Sequence, residues 1–210
     1  SFHNGDGVAC AELEKHGIRP DHSAASIANI DAWLDTLWGV EPVKPEEMPK
    51  HIDLARRLGF YLGELFRARL NGTWEPDTEE MTRSLLAWPS GFKICPFEFF
   101  TKRLEAGAGQ SIYSQFEACR AQLRERNDIP APGDETDEWL GQAEARASAR
   151  QPDLTLAIVF AGKALELNPA STRAHVLAAR WVMQRDRDAA AALAHLDQAL
   201  ESRGDPAPIA

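Results

Sequence analysis

The sequence predicts a mainly α-helical chain, with an α+β N-terminal domain followed by helical hairpins. Three observations carry that prediction. Apolar residues recur at three- and four-residue spacing along most of the chain. One stretch, "LLAWPSGFKI" (85–94), breaks that rhythm with two short apolar runs around Pro89, Ser90 and Gly91, which is a hairpin pattern. The last third of the chain repeats itself at a shift of 35 residues.

Taken in order, "SIANIDAWLDTLW" sets Ile27, Ile30, Leu34, Leu37 and Trp38 on one helical face, with Ser23 or Ser26 as N-cap. "IDLARRLGFYLGELFRARL" repeats the pattern through Leu54, Leu58, Tyr61, Leu62 and Leu65. Gly72 is expected to end that helix, and Thr73 and Trp74 favour an extended segment after it. After the hairpin, Pro96 suits the first turn of a helix whose Phe97, Phe100 and Leu104 share a face and which Gly107 stops. A further helix carries Ile112, Phe116, Cys119 and Leu123. "NDIPAPGDETDE" (127–138) combines prolines, glycine and acids, and is read as a linker. The expected organisation is a domain over 1–126, a linker over 127–138, a helical repeat pair over 139–203 and a tail over 204–210.

Composition narrows the function. A net charge of −9, from 32 acidic against 23 basic residues, repels nucleic-acid phosphates and anionic membranes, so neither is expected as a partner. Charges at helical spacing break every apolar run before membrane-spanning length. The opening "SFHNGDGVACAE" has no basic and then apolar leader pattern, and Cys10, Cys95 and Cys119 form no CxxC pair. Reduced thiols in a cytoplasmic protein, with no cofactor, are the expectation.

Enzymatic signatures are sparse. Gly59 and Gly63 lie on one face beside Glu64, and each costs up to about 1 kcal/mol relative to alanine within a helix. Close packing of a neighbour is the favoured explanation. The alternative is an enzyme with a site at Glu64, Trp74 and Trp88, but no titratable partner stands near Glu64 in sequence. Histidines 3, 16, 22 and 51 lack paired ligand spacing, and solvent exposure is expected for His16 and His22, which flank a turn. Cys95 and Cys119 sit among apolar residues and read as small buried hydrophobes.

The repeat pairs "LTLAIVFAGKALELNP" with "AAALAHLDQALESRG". Ala157, Ala161 and Ala164 recur as Ala192, Leu196 and Ala199, while Leu140, Ala143 and Ala147 recur as His175, Ala178 and Val182. Small residues at this period, with Pro169 closing a helix, resemble a tetratricopeptide (TPR) pair. The family's Trp, Leu, Gly and Tyr positions read Leu140, Ala143, Glu144 and Ala147, so the likeness is degenerate. The stretches "DHSAASIANIDAWLD", "GFYLGELFRARLNGTWE" and "CPFEFFTKRLEAGAGQSIYSQF" resemble a small uncharacterised bacterial domain, some instances of which occur near secreted toxin systems.

The first resemblance implies a groove lined by the first helix of each repeat and a protein or peptide partner. By the 35-residue register Arg173, Val176, Arg180 and Met183 line it, with the two arginines seven apart and suited to an acidic ligand. A 34-residue register adds Arg146, whereas 35 puts Ala145 there. The second resemblance implies an immunity or adaptor role. A structural subunit that forms homo-oligomers is a third reading.

Overall fold

A computed structural model describes residues 2–77, 79–129 and 135–203. Part of the expected linker, 130–134, and the expected tail, 204–210, lie outside the described residues. Within them the fold is mainly α, with nine α-helices and one three-stranded antiparallel sheet. The chain divides into two compact units, one made of residues 1–16 and 20–131, the other of 17–19 and 132–210.

The first unit is built on α3 (Met48–Leu70), which packs against α1 (Phe2–Lys15) and α4 (Pro96–Ala106), while α2 (Ala24–Trp38) packs on α5 (Ile112–Glu125). Ser23 caps α2, its hydroxyl accepting from the Ser26 amide at 2.9 Å. Leu37 departs from its expected core role and is exposed, because the buried arc of α2 runs through Ile27, Ile30, Leu34 and Trp38. α1 was not expected. Its glycines and its few apolar side chains give the sequence little period to read.

α3 ends differently from expectation. Asn71, not Gly72, takes the left-handed conformation (φ 56°), and the amides of Asn71 and Gly72 both bond the Phe66 carbonyl. Gly72 is instead small because Trp88 and Leu86 lie against it. The chain then runs through β1 (Thr73–Glu75), β2 (Leu85–Ala87) and β3 (Lys93–Ile94) in that spatial order, with Trp74 opposite Leu86 and Leu86 opposite Ile94. The β2–β3 hairpin turns through Pro89 to Gly91, where the Gly91 amide reaches the Trp88 carbonyl at 2.9 Å.

Aromatic rings fill the core. Phe66 meets Trp88, Phe99 and Phe116 edge-on, with centroids 5.9, 6.0 and 5.3 Å away. Arg103 is wholly buried, bonding Asp35 at 2.6 Å and the Gly39 carbonyl at 2.9 Å, and so ties α4 to the end of α2.

In the second unit α6 (Thr136–Ser148), α7 (Leu154–Leu167), α8 (Thr172–Asp186) and α9 (Ala189–Arg203) each pack on the next. α6 begins inside the expected linker, for Asp137 and Glu138 stand in its first turn, where carboxylates favour the helix N-terminus. Alanines 143, 157, 161, 164, 174, 178, 192 and 199 are buried, so the helices approach closely. The side chain of Gln142, fully buried, accepts from the Arg19 amide at 3.2 Å and donates to the Arg19 carbonyl at 2.7 Å. That pair of bonds satisfies an amide that burial would otherwise penalise.

Candidate functional site

α8 forms because Ser171 caps it, accepting from the Ala174 amide at 3.3 Å, and because one arc of its surface is small and apolar. Ala174, His175, Ala178, Ala179, Trp181 and Val182 are buried. Arg187, in the left-handed conformation, ends the helix.

The opposite arc is open. Arg173, Val176, Arg180 and Met183 are all exposed, and spacings of three, four and three residues keep them in one stripe. Val176 retains 44% and Met183 40% of its surface, which is high for large apolar side chains. Four of the five expected groove residues are thus brought together. Arg146, on α6, is not among them. It is half-buried near Asp153, whose charge opposes the lowering of its pKa that burial causes.

The two stripe arginines differ. Arg173 reaches from α8 to α6 and closes ion pairs with Asp137 at 3.0 Å and Glu144 at 2.9 Å. Asp137 and Glu144 are seven apart, two turns of one α6 face, and Arg173 lies between them. Its charge is already answered. Arg180, exposed and in no ion pair with any described residue, is the stripe's available cation. Sequence reading missed this distinction, since Asp137 was assigned to a linker.

Behind the stripe, two imidazoles occupy the joint between α8 and α9. His175 Nε2 donates to the Pro169 carbonyl at 2.9 Å, which leaves its Nδ1 to accept from His195 Nδ1 at 3.3 Å. The first hairpin fills the matching joint with Trp139 and Phe160, centroids 5.5 Å apart. Burial, and then the neighbouring His175, hold the His195 pKa below its ordinary value.

The alternative site around Glu64 does not assemble as expected. Glu64 is buried, and its two oxygens accept from Trp74 Nε1 at 2.9 Å and from Arg67 Nε at 2.8 Å. Trp88 turns away and donates to the Leu70 carbonyl at 2.6 Å. The glutamate thereby fastens β1 to α3. Gly59 and Gly63 are where neighbours lie closest, since a Cβ would stand 2.4 Å from Phe97 at the first and 2.1 Å from Trp74 at the second. Those distances answer the question posed by the glycines in terms of packing.

A cleft of about 320 Å³ in the first unit is lined by Arg56, Thr82, Cys95, Phe97 and Glu98 among others. Cys95 donates to the Thr82 carbonyl at 3.3 Å, and burial pushes its thiol pKa up, away from nucleophilic range. Burial likewise pushes the Cys119 thiol up to about 11. Among the described residues no group of three or more His, Cys, Asp or Glu is arranged to hold a metal ion. His16 is exposed, as expected, and stacks on Trp33 with centroids 4.5 Å apart, whereas His22 is half-buried and stacks on Tyr61 at 4.6 Å.

No protein-family model, curated protein or solved structure matches the chain. No helix among the described residues is long and apolar enough to cross a membrane.

Proposed function

We propose that the second unit is a degenerate tetratricopeptide-type pair that binds a protein or peptide segment along α8, and that the protein has no catalytic role. The observation that carries this reading is the alignment of Val176, Arg180 and Met183 on the open arc of a helix whose other arc is buried. Exposed aliphatic side chains lose their unfavourable hydration only when a partner covers them. Arg180 between them favours a segment that carries a carboxylate. Arg173 contributes its aliphatic stem rather than its charge.

The more specific form of the proposal, an immunity or adaptor protein answering a secreted bacterial toxin, rests on the N-terminal resemblance alone. A cytoplasmic location accompanies it, supported by three cysteines that are joined in no disulfide among the described residues.

The test is a pull-down from bacterial lysate, with bound proteins identified by mass spectrometry and then titrated calorimetrically. Wild type is run beside Arg173→Ala and Val176→Asp/Met183→Asp. A partner held by the first two and lost by the third supports the reading. A partner held equally by all three, or none at all, overturns it.

A further inference from the structure

The last helix leaves an apolar ridge uncovered. Leu193, Leu196 and Leu200 retain 58%, 39% and 66% of their surface, at spacings of three and four residues on one side of α9. The first hairpin supplies the comparison. By the 35-residue shift their counterparts on α7 are Ile158, Ala161 and Leu165, all buried or half-buried, on the side of α7 away from Phe160. α8 follows α7 and packs on it. At α9 the same positions carry three leucines, a larger apolar surface than the α7 set, and no described helix follows.

Charge indicates what covers it. Asp197 and Glu201 are exposed along one flank of the ridge, about 40° and 80° around the helix from Leu193. The complement is therefore a helix with an apolar stripe and a cation on its flank. Among the described residues α8 offers such a surface: Val176 and Met183, seven residues apart as Leu193 and Leu200 are, with Arg180 on their flank. On α7 the exposed Val159 and Leu167 lie around Lys163, but Glu166 already answers that charge at 2.7 Å. On both helices the charges lie on the same rotational side of the apolar residues, viewed from the N-terminus. Antiparallel packing brings such flanks together, whereas parallel packing separates them.

We propose that α9 of one copy docks antiparallel along the α8 stripe of a second copy, with Leu193, Leu196 and Leu200 against Val176 and Met183, and with Asp197 and Glu201 facing Arg180. This rests on the reading of the α8 stripe as a binding face and names one occupant for it. The contact is heterologous, because each copy offers a different surface, so copies add head to tail. Self-association and partner binding then compete for the stripe.

Sedimentation equilibrium of the full chain from micromolar to several hundred micromolar tests this. Wild type is expected to gain mass with concentration past a dimer. Arg180→Glu/Met183→Asp, with a spoiled stripe, and Leu196→Glu/Leu200→Glu, with a spoiled ridge, are each expected to stay monomeric. All four positions are exposed, and unchanged circular dichroism checks that the variants fold. Mixed together, the two variants retain one intact ridge and one intact stripe, and a one-to-one dimer is expected. A wild type that remains monomeric throughout overturns the proposal, while a lysate partner that still depends on Val176 and Met183 leaves the binding-face reading standing. Self-association that the ridge variant abolishes and the stripe variant does not, or a mixture that stays monomeric, also overturns it.

Discussion

The indole of Trp74 lies on the bare backbone of Gly63, where an added Cβ would stand 2.1 Å from its Cζ2. Displacing the ring strains its attachment, because Glu64 holds its nitrogen at 2.9 Å and Phe97 stands 6.3 Å from it, centroid to centroid. Alanine at position 63 gains up to about 1 kcal/mol of helix propensity but forces a clash that costs about 1–3 kcal/mol. Gly63→Ala is therefore expected to destabilise the fold, as a lower urea midpoint. An unchanged or higher midpoint would show that the glycine serves something other than this contact.

Arg103 is buried with Nε and Nη1 unsatisfied among the described residues, while its partner Asp35 is half exposed. Removing the cation leaves Asp35 in water, not stranded in the core. Arg103→Met, of similar volume, is expected to change stability by less than about 1 kcal/mol or to raise it, since desolvating a guanidinium is costly. Arg103→Ala leaves a cavity and is expected to lose about 2–4 kcal/mol. Equal losses in thermal denaturation of the two variants would mean that the ion pair, not the volume, is what matters.

His195 is expected to make the second unit sensitive to acid. The folded pKa of His195 lies below the unfolded value of 6.5, so the unfolded chain binds the proton more readily. Its contribution to stability is full above pH 6.5 and is lost as pH falls through the folded value. His195→Phe copies the ring that Phe160 supplies in the first hairpin and removes the titration. The gap in melting temperature between the variant and wild type is expected to shift in the variant's favour between pH 7.5 and 5.5, and a gap that stays constant would refute the assignment.

Arg173 and Arg180 are separable by experiment. Losing two exposed ion pairs in Arg173→Ala is expected to cost about 0.2–1 kcal/mol for each pair, with partner binding kept. Arg180→Glu is expected to leave the melting temperature unchanged and to weaken partner binding at least tenfold. The opposite pattern would exchange their roles.

Helical period made α2, α3, α4 and α5 legible, because Leu58, Phe100 and Phe116 recur where a buried arc requires them. The hairpin was legible through Pro89 and Gly91. α1 was not, since its apolar residues are few and sparse. The start of α6 was concealed because "DETDE" has a linker's composition and a helix N-terminus's physics. For the candidate face, spacing alone aligned Val176, Arg180 and Met183. It could not reveal that Arg173 is engaged, because Asp137 and Glu144 come within its reach only in the folded unit. The leucine ridge left a trace in the Ala161-to-Leu196 exchange, a larger residue at a position that is buried in the first hairpin.

The cap at the end of α3 has a chemical consequence. Asn71 followed by Gly72 is the sequence most prone to spontaneous deamidation, in which the glycine amide nitrogen attacks the asparagine side chain through a succinimide ring. Here that nitrogen is bound to the Phe66 carbonyl at 3.1 Å and Asn71 is fixed in the left-handed conformation, so the attacking geometry is withheld while the helix end stays closed. Aspartate and isoaspartate should then accumulate at position 71 only as fast as that end opens. The slow gain of one mass unit on storage becomes a covalent record of how often the helix frays.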